Sequence, residues 1–231
     1  GGVLMAVAIR SSSTLSNALR TNSTVTAPAS IVNDDVLCCL LILGNTTSPA
    51  VTPPTGWTEW TTTPWPITYS KADPWEVKIR LFTKVASGES GNYTFTHARA
   101  NTEAVMYALS GADTATPLSP NPTGQTGTGL TSTALSITPT VNDSFIVFAA
   151  GAWDAAGPST PPTGTTPTFT ERYDPGSGGI FYVADGVLAT AAATGNKSYT
   201  NANSDANQPW GAGLICVQAA AGDTLFAQGV C

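Results

Sequence analysis

Charge is scarce in this chain. Only 10% of its 231 residues are Asp, Glu, Lys or Arg, and nine Lys and Arg against fifteen Asp and Glu leave a net charge of −6. Without a basic face there is nothing from which to build phosphate contacts, so nucleic acid is not an expected partner. Long apolar runs are also missing: the stretch over residues 36–43 is far short of the roughly 20 residues a membrane helix needs, so no membrane partner is expected. Residues 1–10 carry no basic stretch ahead of their short apolar run, which predicts a soluble chain without a secretory signal. Histidine occurs once, at His97, and no Gly-x-Ser-x-Gly elbow stands near it, so no catalytic residue is assigned.

The four cysteines fit neither a dense disulfide framework nor a zinc site. Cys38 and Cys39 are adjacent, Cys216 is isolated in an apolar run, Cys231 is the last residue, and no C-x-x-C occurs. Neighbours on a strand point to opposite faces, so Cys38 and Cys39 read as two small buried hydrophobes in a reducing compartment. The alternative is a bond from one of them to Cys216, or from Cys231 to another chain. Neither a metal nor a cofactor is expected.

What the chain does have is 42% hydrophobic residues with 22 Gly and 17 Pro, a composition suited to many short strands joined by tight turns. It also repeats itself. Asn33-Asp34-Asp35-Val36 opens one apolar run and Asn142-Asp143-Ser144-Phe145 another, and each is followed by Pro-Pro-Thr-Gly, ending at Gly56 and at Gly164. Further on, Gly91-Asn92-Tyr93-Thr94 has its counterpart in the segment from Gly195-Asn196 to Tyr199-Thr200, and residues 104–109 in 211–217. Two sequence-similar halves are therefore expected, each with five or six strands. The acidic pairs read as turn formers, because no further carboxylates follow at calcium-loop spacing.

Within each half the hydrophobic period is two. Trp75, Val77, Ile79, Leu81, Thr83 and Val85 alternate with Glu76, Lys78, Arg80, Phe82 and Lys84, which predicts a half-exposed antiparallel strand. Residues 36–43 and 145–150 are instead apolar on both faces, as befits the buried centre of each half. The expected organisation is an N-terminal segment at 1–23, a first β half at 24–116, a Pro/Gly/Thr-rich connection at 117–130 read as a loop or linker, a second half at 131–220 and a tail at 221–231. Two small sandwiches in tandem, or one larger sandwich, satisfy this pattern. The single antiparallel, jelly-roll-like β-sandwich is preferred, because strands apolar on both faces need more cover than half the chain supplies.

Glu59, Glu76, Glu89, Glu103 and Glu171 sit in exposed-looking or turn contexts, with no pair placed as a glycosidase requires. Aromatic clustering is the better lead. Trp57, Trp60, Trp65, Tyr69 and Trp75 crowd into a Pro- and Thr-rich stretch, and flat rings with a polar edge serve sugar stacking and protein interfaces alike. Trp57, directly after a turn, reads first as a core residue, and Trp65, between Pro64 and Pro66, as either core or surface.

The ordered set Asn33-Asp34-Asp35-Val36-Leu37, Pro53-Pro54-Thr55-Gly56-Trp57-Thr58, Leu81-Phe82-Thr83-Lys84-Val85-Ala86-Ser87-Gly88 and Tyr107-Ala108-Leu109-Ser110-Gly111 resembles a β-sandwich family of tailed-bacteriophage structural proteins. The resemblance covers roughly residues 24–118 and extends more loosely into the second half, where Thr165 stands in the place of Trp57. It implies a non-enzymatic virion component, foremost a capsid cement or decoration protein on the outer capsid surface, assembled in the host cytoplasm. The expected partners are the major capsid protein and copies of the chain itself, as a homotrimer or dimer, reached through apolar segments at Val3 to Ile9 and Leu225 to Val230. The alternative is a carbohydrate- or receptor-binding module of a tail fibre or cell-surface protein, binding surface glycan with Trp57, Trp60, Trp65 and Trp75 as its stacking platform.

Overall fold

The runs that are apolar on both faces dictate the architecture. In strand β2 (Val36–Asn45) every residue from Val36 to Gly44 is buried, and consecutive side chains leave the strand in opposite directions. Val36, Cys38, Leu40 and Ile42 enter one hydrophobic cluster, and Leu37, Cys39, Leu41 and Leu43 enter another. Strand β10 (Ser144–Ala155) repeats this division: Phe145, Val147 and Ala149 join the first of those clusters, while Ile146, Phe148 and Ala150 enter a third. The structure, a computed structural model, describes residues 5–46, 49–72, 75–119, 122–155, 160–176, 179–201 and 207–221. Among them there is no helix, and every strand pairing is antiparallel.

Strand β2 lies between β6 (Trp75–Val85) and β7 (Tyr93–Ser110). Beyond β7 the sheet closes with β1 (Ala8–Val25), and beyond β6 with β4 (Thr58–Glu59), giving the order β1-β7-β2-β6-β4. Two further strands, β3 (Val51–Thr52) and β5 (Ile67–Ala72), attach to β7 and β6. In the second sheet β10 lies between β12 (Gly179–Leu188) and β14 (Pro209–Val217), with β11 (Thr170–Tyr173) outside β12 and β8 (Thr123–Thr128) outside β14. Its order, β8-β14-β10-β12-β11, places strands as the first sheet does. The sheets pack face to face as a β-sandwich over the cluster that takes side chains from β2, β6 and β7 on one side and from β10, β12 and β14 on the other.

Each sheet also has a covered outer face. The long β1–β7 ribbon has register shifts between Leu15 and Ala18 and between Arg20 and Asn22, and such irregularities bend and twist a ribbon. Its far end, carrying Tyr93 and Phe95, shares an outer cluster with Trp57 and Phe82, the Phe82 and Phe95 rings lying 5.0 Å apart. A separate ribbon of β9 (Thr131–Ala134) and β13 (Lys197–Thr200) covers the second sheet, with Ala134 and Tyr199 in its cluster.

The turns that open the two central strands are built alike. Asp34 and Asp143 both take positive φ, 69° and 57°, a conformation that Asp tolerates better than most residues. Asn33 Oδ1 accepts the Gly88 N–H and Asn142 Oδ1 the Ala191 N–H, each at 2.8 Å. Gly56 and Gly164, which end the two Pro-Pro-Thr-Gly segments, also have positive φ.

Several expectations need correction. Residues 8–23, read as an N-terminal segment, belong to edge strand β1; its threonines favour a strand, but a Ser- and Thr-rich run lacks the hydrophobic alternation that marks one in sequence. The stretch read as a loop at 117–130 contains β8, held by main-chain pairing from Thr123 opposite Leu214 to Thr128 opposite Pro209. Val7 and Ile9, expected to reach a neighbouring subunit, pack on the inter-sheet core of their own chain. Val3 and residues 225–230 lie outside the described residues. Strand β6 is less open than its alternation implies, because Phe82 packs in the outer cluster and Arg80 is covered by its bond to Glu59.

The Pro-rich segment before β5 explains the Gly-rich pattern of β14. A Cβ at Gly213 would stand 2.4 Å from the Thr123 carbonyl oxygen, 2.7 Å from Ile67 Cδ1 and 2.8 Å from Trp65 Cζ2. Gly213→Ala is therefore expected to cost about 1–3 kcal/mol through overpacking, read as a lower denaturation midpoint in urea. An unchanged midpoint would show that β5, β8 and β14 do not approach this closely.

Candidate functional site

The four tryptophans proposed as a platform are dispersed. Trp57 follows the Pro-Pro-Thr-Gly turn, is 5% exposed, and meets Tyr93 and Phe95 edge-on with ring centroids 5.1 and 5.5 Å away. Trp65 is 2% exposed in the inter-sheet cluster, its indole N–H donating to the Thr123 carbonyl at 3.1 Å. Neither ring is open to a ligand, so the platform reading is corrected for both. The prolines beside Trp65 favour its burial, since proline brings no N–H that needs a partner. Trp75 opens β6 half-buried, opposite Ala72. Trp60 lines a concave surface.

That surface is a groove of about 860 Å³ along the β4 edge. One wall comes from Thr58 on β4 and from Thr83, Lys84 and Val85 on β6; the other is the crossing segment 114–118, with Gln218 behind it. Trp60 is half-buried between the groove and the inter-sheet core, and its backbone N–H donates to the Leu81 carbonyl at 2.8 Å. The far wall is fastened at two points. The Asp113 carboxylate accepts the Ala115 and Thr116 N–H groups and the Thr116 hydroxyl, which holds its pKa below the usual value. The Gln218 side-chain amide donates to the carbonyls of Thr116 and Leu118. On the near wall Lys84 pairs with Glu89 at 2.8 Å and lies over the Tyr93 ring.

His97 does find a serine. Ser23, 74 residues away in sequence, sits 2.9 Å from His97 Nε2, while His97 Nδ1 faces the Ala98 carbonyl at 2.7 Å. These partners place the proton on Nδ1 and let the serine hydroxyl donate. Burial lowers the His97 pKa, keeping the ring neutral. Ser23 is 0% exposed, so the pair ties β1 to β7 rather than facing a substrate. No sequence signal pointed to it, because the contact depends on the register between those strands.

The acidic residues are less exposed than their sequence contexts imply. Glu59 pairs with Arg80, and Glu89 takes Lys84 and the Tyr93 hydroxyl. Asp185 on β12 accepts both arms of Arg172, at 2.6 and 2.7 Å, and the Tyr107 hydroxyl from the opposing sheet at 3.0 Å. Glu103 on β7 is 0% exposed; its Oε1 accepts the Ile180 N–H of the facing sheet at 2.7 Å, and its Oε2 has no hydrogen-bond partner. Burial pushes its pKa up to about 7, against the opposing pull of the Ile180 N–H.

The described cysteines are free, and each faces a different hydrophobic layer: Cys38 the inter-sheet core, Cys39 the outer layer of the first sheet and Cys216 that of the second. A bond from Cys38 or Cys39 to Cys216 is thereby corrected, since a sheet separates each pair; Cys231 lies outside the described residues. Burial raises the Cys38 thiol to about 12 and the Cys216 thiol to about 11. All three are expected to escape iodoacetamide at pH 8 in the folded protein and to react after unfolding, as read by peptide mass mapping. Labelling of any of them in the native state would contradict this packing.

Glu103 makes stability depend on pH. Because its folded pKa lies above its ordinary value of 4.5, its full contribution is present below about pH 4.5 and is lost as pH rises through 7. The expected loss is on the order of 3 kcal/mol. Glu103→Gln keeps an acceptor for the Ile180 N–H and removes the charge, so it is expected to raise the melting temperature at pH 8 and change it little at pH 4.5. An equal effect at both values would assign the dependence to another group.

No family model, no curated protein and no solved structure matches the chain.

Proposed function

We propose that the chain is a non-enzymatic structural protein of a bacteriophage virion. In this reading it is a capsid cement or decoration protein on the outer capsid surface, binding major capsid subunits and copies of itself as a homotrimer or dimer. Two sequence-similar halves, supported by the matching turns at Asp34 and Asp143, are part of the same proposal.

The observation that carries it is the edge strand β1. At 18 residues it is longer than most strands, and it stands at the end of its sheet. Ser12, Thr14, Ser16, Leu19 and Thr21 are exposed along it, Leu19 by 50%. Its two charged side chains are tied to their own chain: Arg10, itself exposed, makes a bidentate pair with the buried Asp35 at 2.7 and 3.0 Å, and Arg20 bonds the carbonyls of Ser16 and Thr102. Edge strands of monomeric proteins are commonly guarded by outward charges or prolines against pairing with another chain. Here no proline or lysine stands on the strand and both arginines are engaged within the chain, so a long hydroxyl-rich edge is suited to strand addition by a neighbouring subunit. Such contacts desolvate little charge, consistent with wide, neutral protein–protein interfaces.

The test is to incubate the purified chain with decoration-stripped capsids and image them by cryo-electron microscopy. Regular density at symmetry-related sites is expected, with Leu19→Glu lowering affinity at least tenfold while leaving the melting temperature within a few degrees. Bare capsids, or protein bound only at tails, would overturn the capsid reading.

A further inference from the structure

We infer that the groove beside Trp60 is a binding subsite for a neutral saccharide. This inference goes beyond the virion reading and does not depend on it.

Size comes first. A groove of about 860 Å³ is in the range of small-molecule sites and accommodates more than one sugar ring. Its lining is divided as a pyranose is divided, into apolar patches and hydroxyl-bearing edges. Trp60, Val85, Pro117 and Leu118 supply the apolar part, and an indole ring suits the C–H face of a sugar because it offers a broad flat area. Thr58, Thr83 and Thr114 supply hydroxyls with no hydrogen-bond partner among the described residues, and each both donates and accepts, as a sugar hydroxyl does.

Charge then narrows the class. The lining contains one ionic side chain, Lys84, and its charge is already matched by Glu89 at 2.8 Å. Among the described residues no carboxylate lines the groove to select a cation, and no unmatched cation lines it to select a phosphate, sulfate or uronate. The far wall is also set before a ligand arrives: Asp113 caps the turn that carries Thr114 and Ala115, and Gln218 fastens the same segment through the carbonyls of Thr116 and Leu118. A site fixed in advance loses less entropy when it binds, which matters most for hydroxyl-rich ligands whose hydrogen bonds replace equally good bonds to water.

The experiment is isothermal titration of the full-length chain with hexamers of glucose in α-1,4 and β-1,4 linkage, of xylose and of N-acetylglucosamine. A hexamer of galacturonic acid and a proline-rich decapeptide serve as competing ligand classes. Saturable binding of at least one neutral hexamer is expected, weakened at least tenfold by Trp60→Ala and by Ala115→Arg. The second variant fills the groove from an exposed position and leaves the core intact, so it decides the question if Trp60→Ala proves unstable. Thr83→Val is expected to weaken binding by a smaller factor. Capsid decoration is expected to survive Ala115→Arg, which separates failure of this inference from failure of the virion reading. No binding of any neutral hexamer, binding indifferent to Ala115→Arg, or preference for the uronate or the peptide would overturn it.

Discussion

The structure depends on two strands that cannot tolerate water on either face. From Val36 to Leu43 each side chain is apolar, and full burial of a residue such as Leu or Ile is worth about 1.5–3 kcal/mol, so exposing one face of β2 would forfeit several such contributions at once. The strand needs an apolar layer on both sides, and β10 has the same requirement. One shared layer between the sheets serves the inner face of both strands, which brings the sheets together as a sandwich. The outer faces then need covers of their own. The first sheet obtains one by bending the β1–β7 ribbon over itself, the second from the separate β9–β13 ribbon. The length of β1 and β7 and the irregularities in their pairing follow from that demand.

Polar groups inside these layers decide how the sheets meet. Tyr107 projects from β7 and Asp185 from β12, so their hydrogen bond crosses the interface, and the two-armed contact of Arg172 holds the carboxylate in place. Buried ion pairs contribute little net stability once desolvation is counted, but an apolar interface alone permits sliding, and a directional bond selects one alignment. Glu103 also reaches across, to the Ile180 N–H, with far less compensation. The contrast explains its behaviour: Asp185 meets a guanidinium and a phenol, whereas Glu103, given mainly backbone N–H groups in an apolar setting, favours its proton.

Much of the fold was legible in sequence because it rests on local chemistry. The two-sided apolar runs at 36–43 and 145–150 announce central strands, and Asn-Asp and Pro-Pro-Thr-Gly announce the turns. Strands β1 and β8 were not legible, since their place comes from main-chain pairing to partners far away in sequence, and Ser, Thr and Gly carry no hydrophobic period. The candidate site was legible only in part. A dense tryptophan cluster is visible in sequence, but whether a ring faces a core or a groove depends on packing between strands: Trp57 and Trp65 enter two different cores, and Trp60 stands beside a groove. Its opposite wall, at 114–118 and Gln218, lies 54 or more residues further along the chain, so no local signal could join them. Glu103 was misread for the same reason, because Ile180 and Tyr173, which define its surroundings, belong to the other sheet.

The scarcity of charge has a structural consequence that bears on binding. Arg10, Arg20, Arg80, Lys84 and Arg172 each engage a partner in their own chain, so the cations that might have marked an edge or a groove are spent on internal ties. What remains outside is mostly hydroxyl and amide, whose interactions are short-ranged and little screened by salt. The two surfaces of interest stand at opposite ends of one sheet, β1 at one edge and the β4 groove at the other, with three strands between them. At about 4.8 Å per strand the edges are roughly 19 Å apart, so a subunit paired along β1 would keep the groove facing away from that contact. An assembly edge and a ligand groove separated in this way do not compete, and a protein fixed through the first is free to present the second.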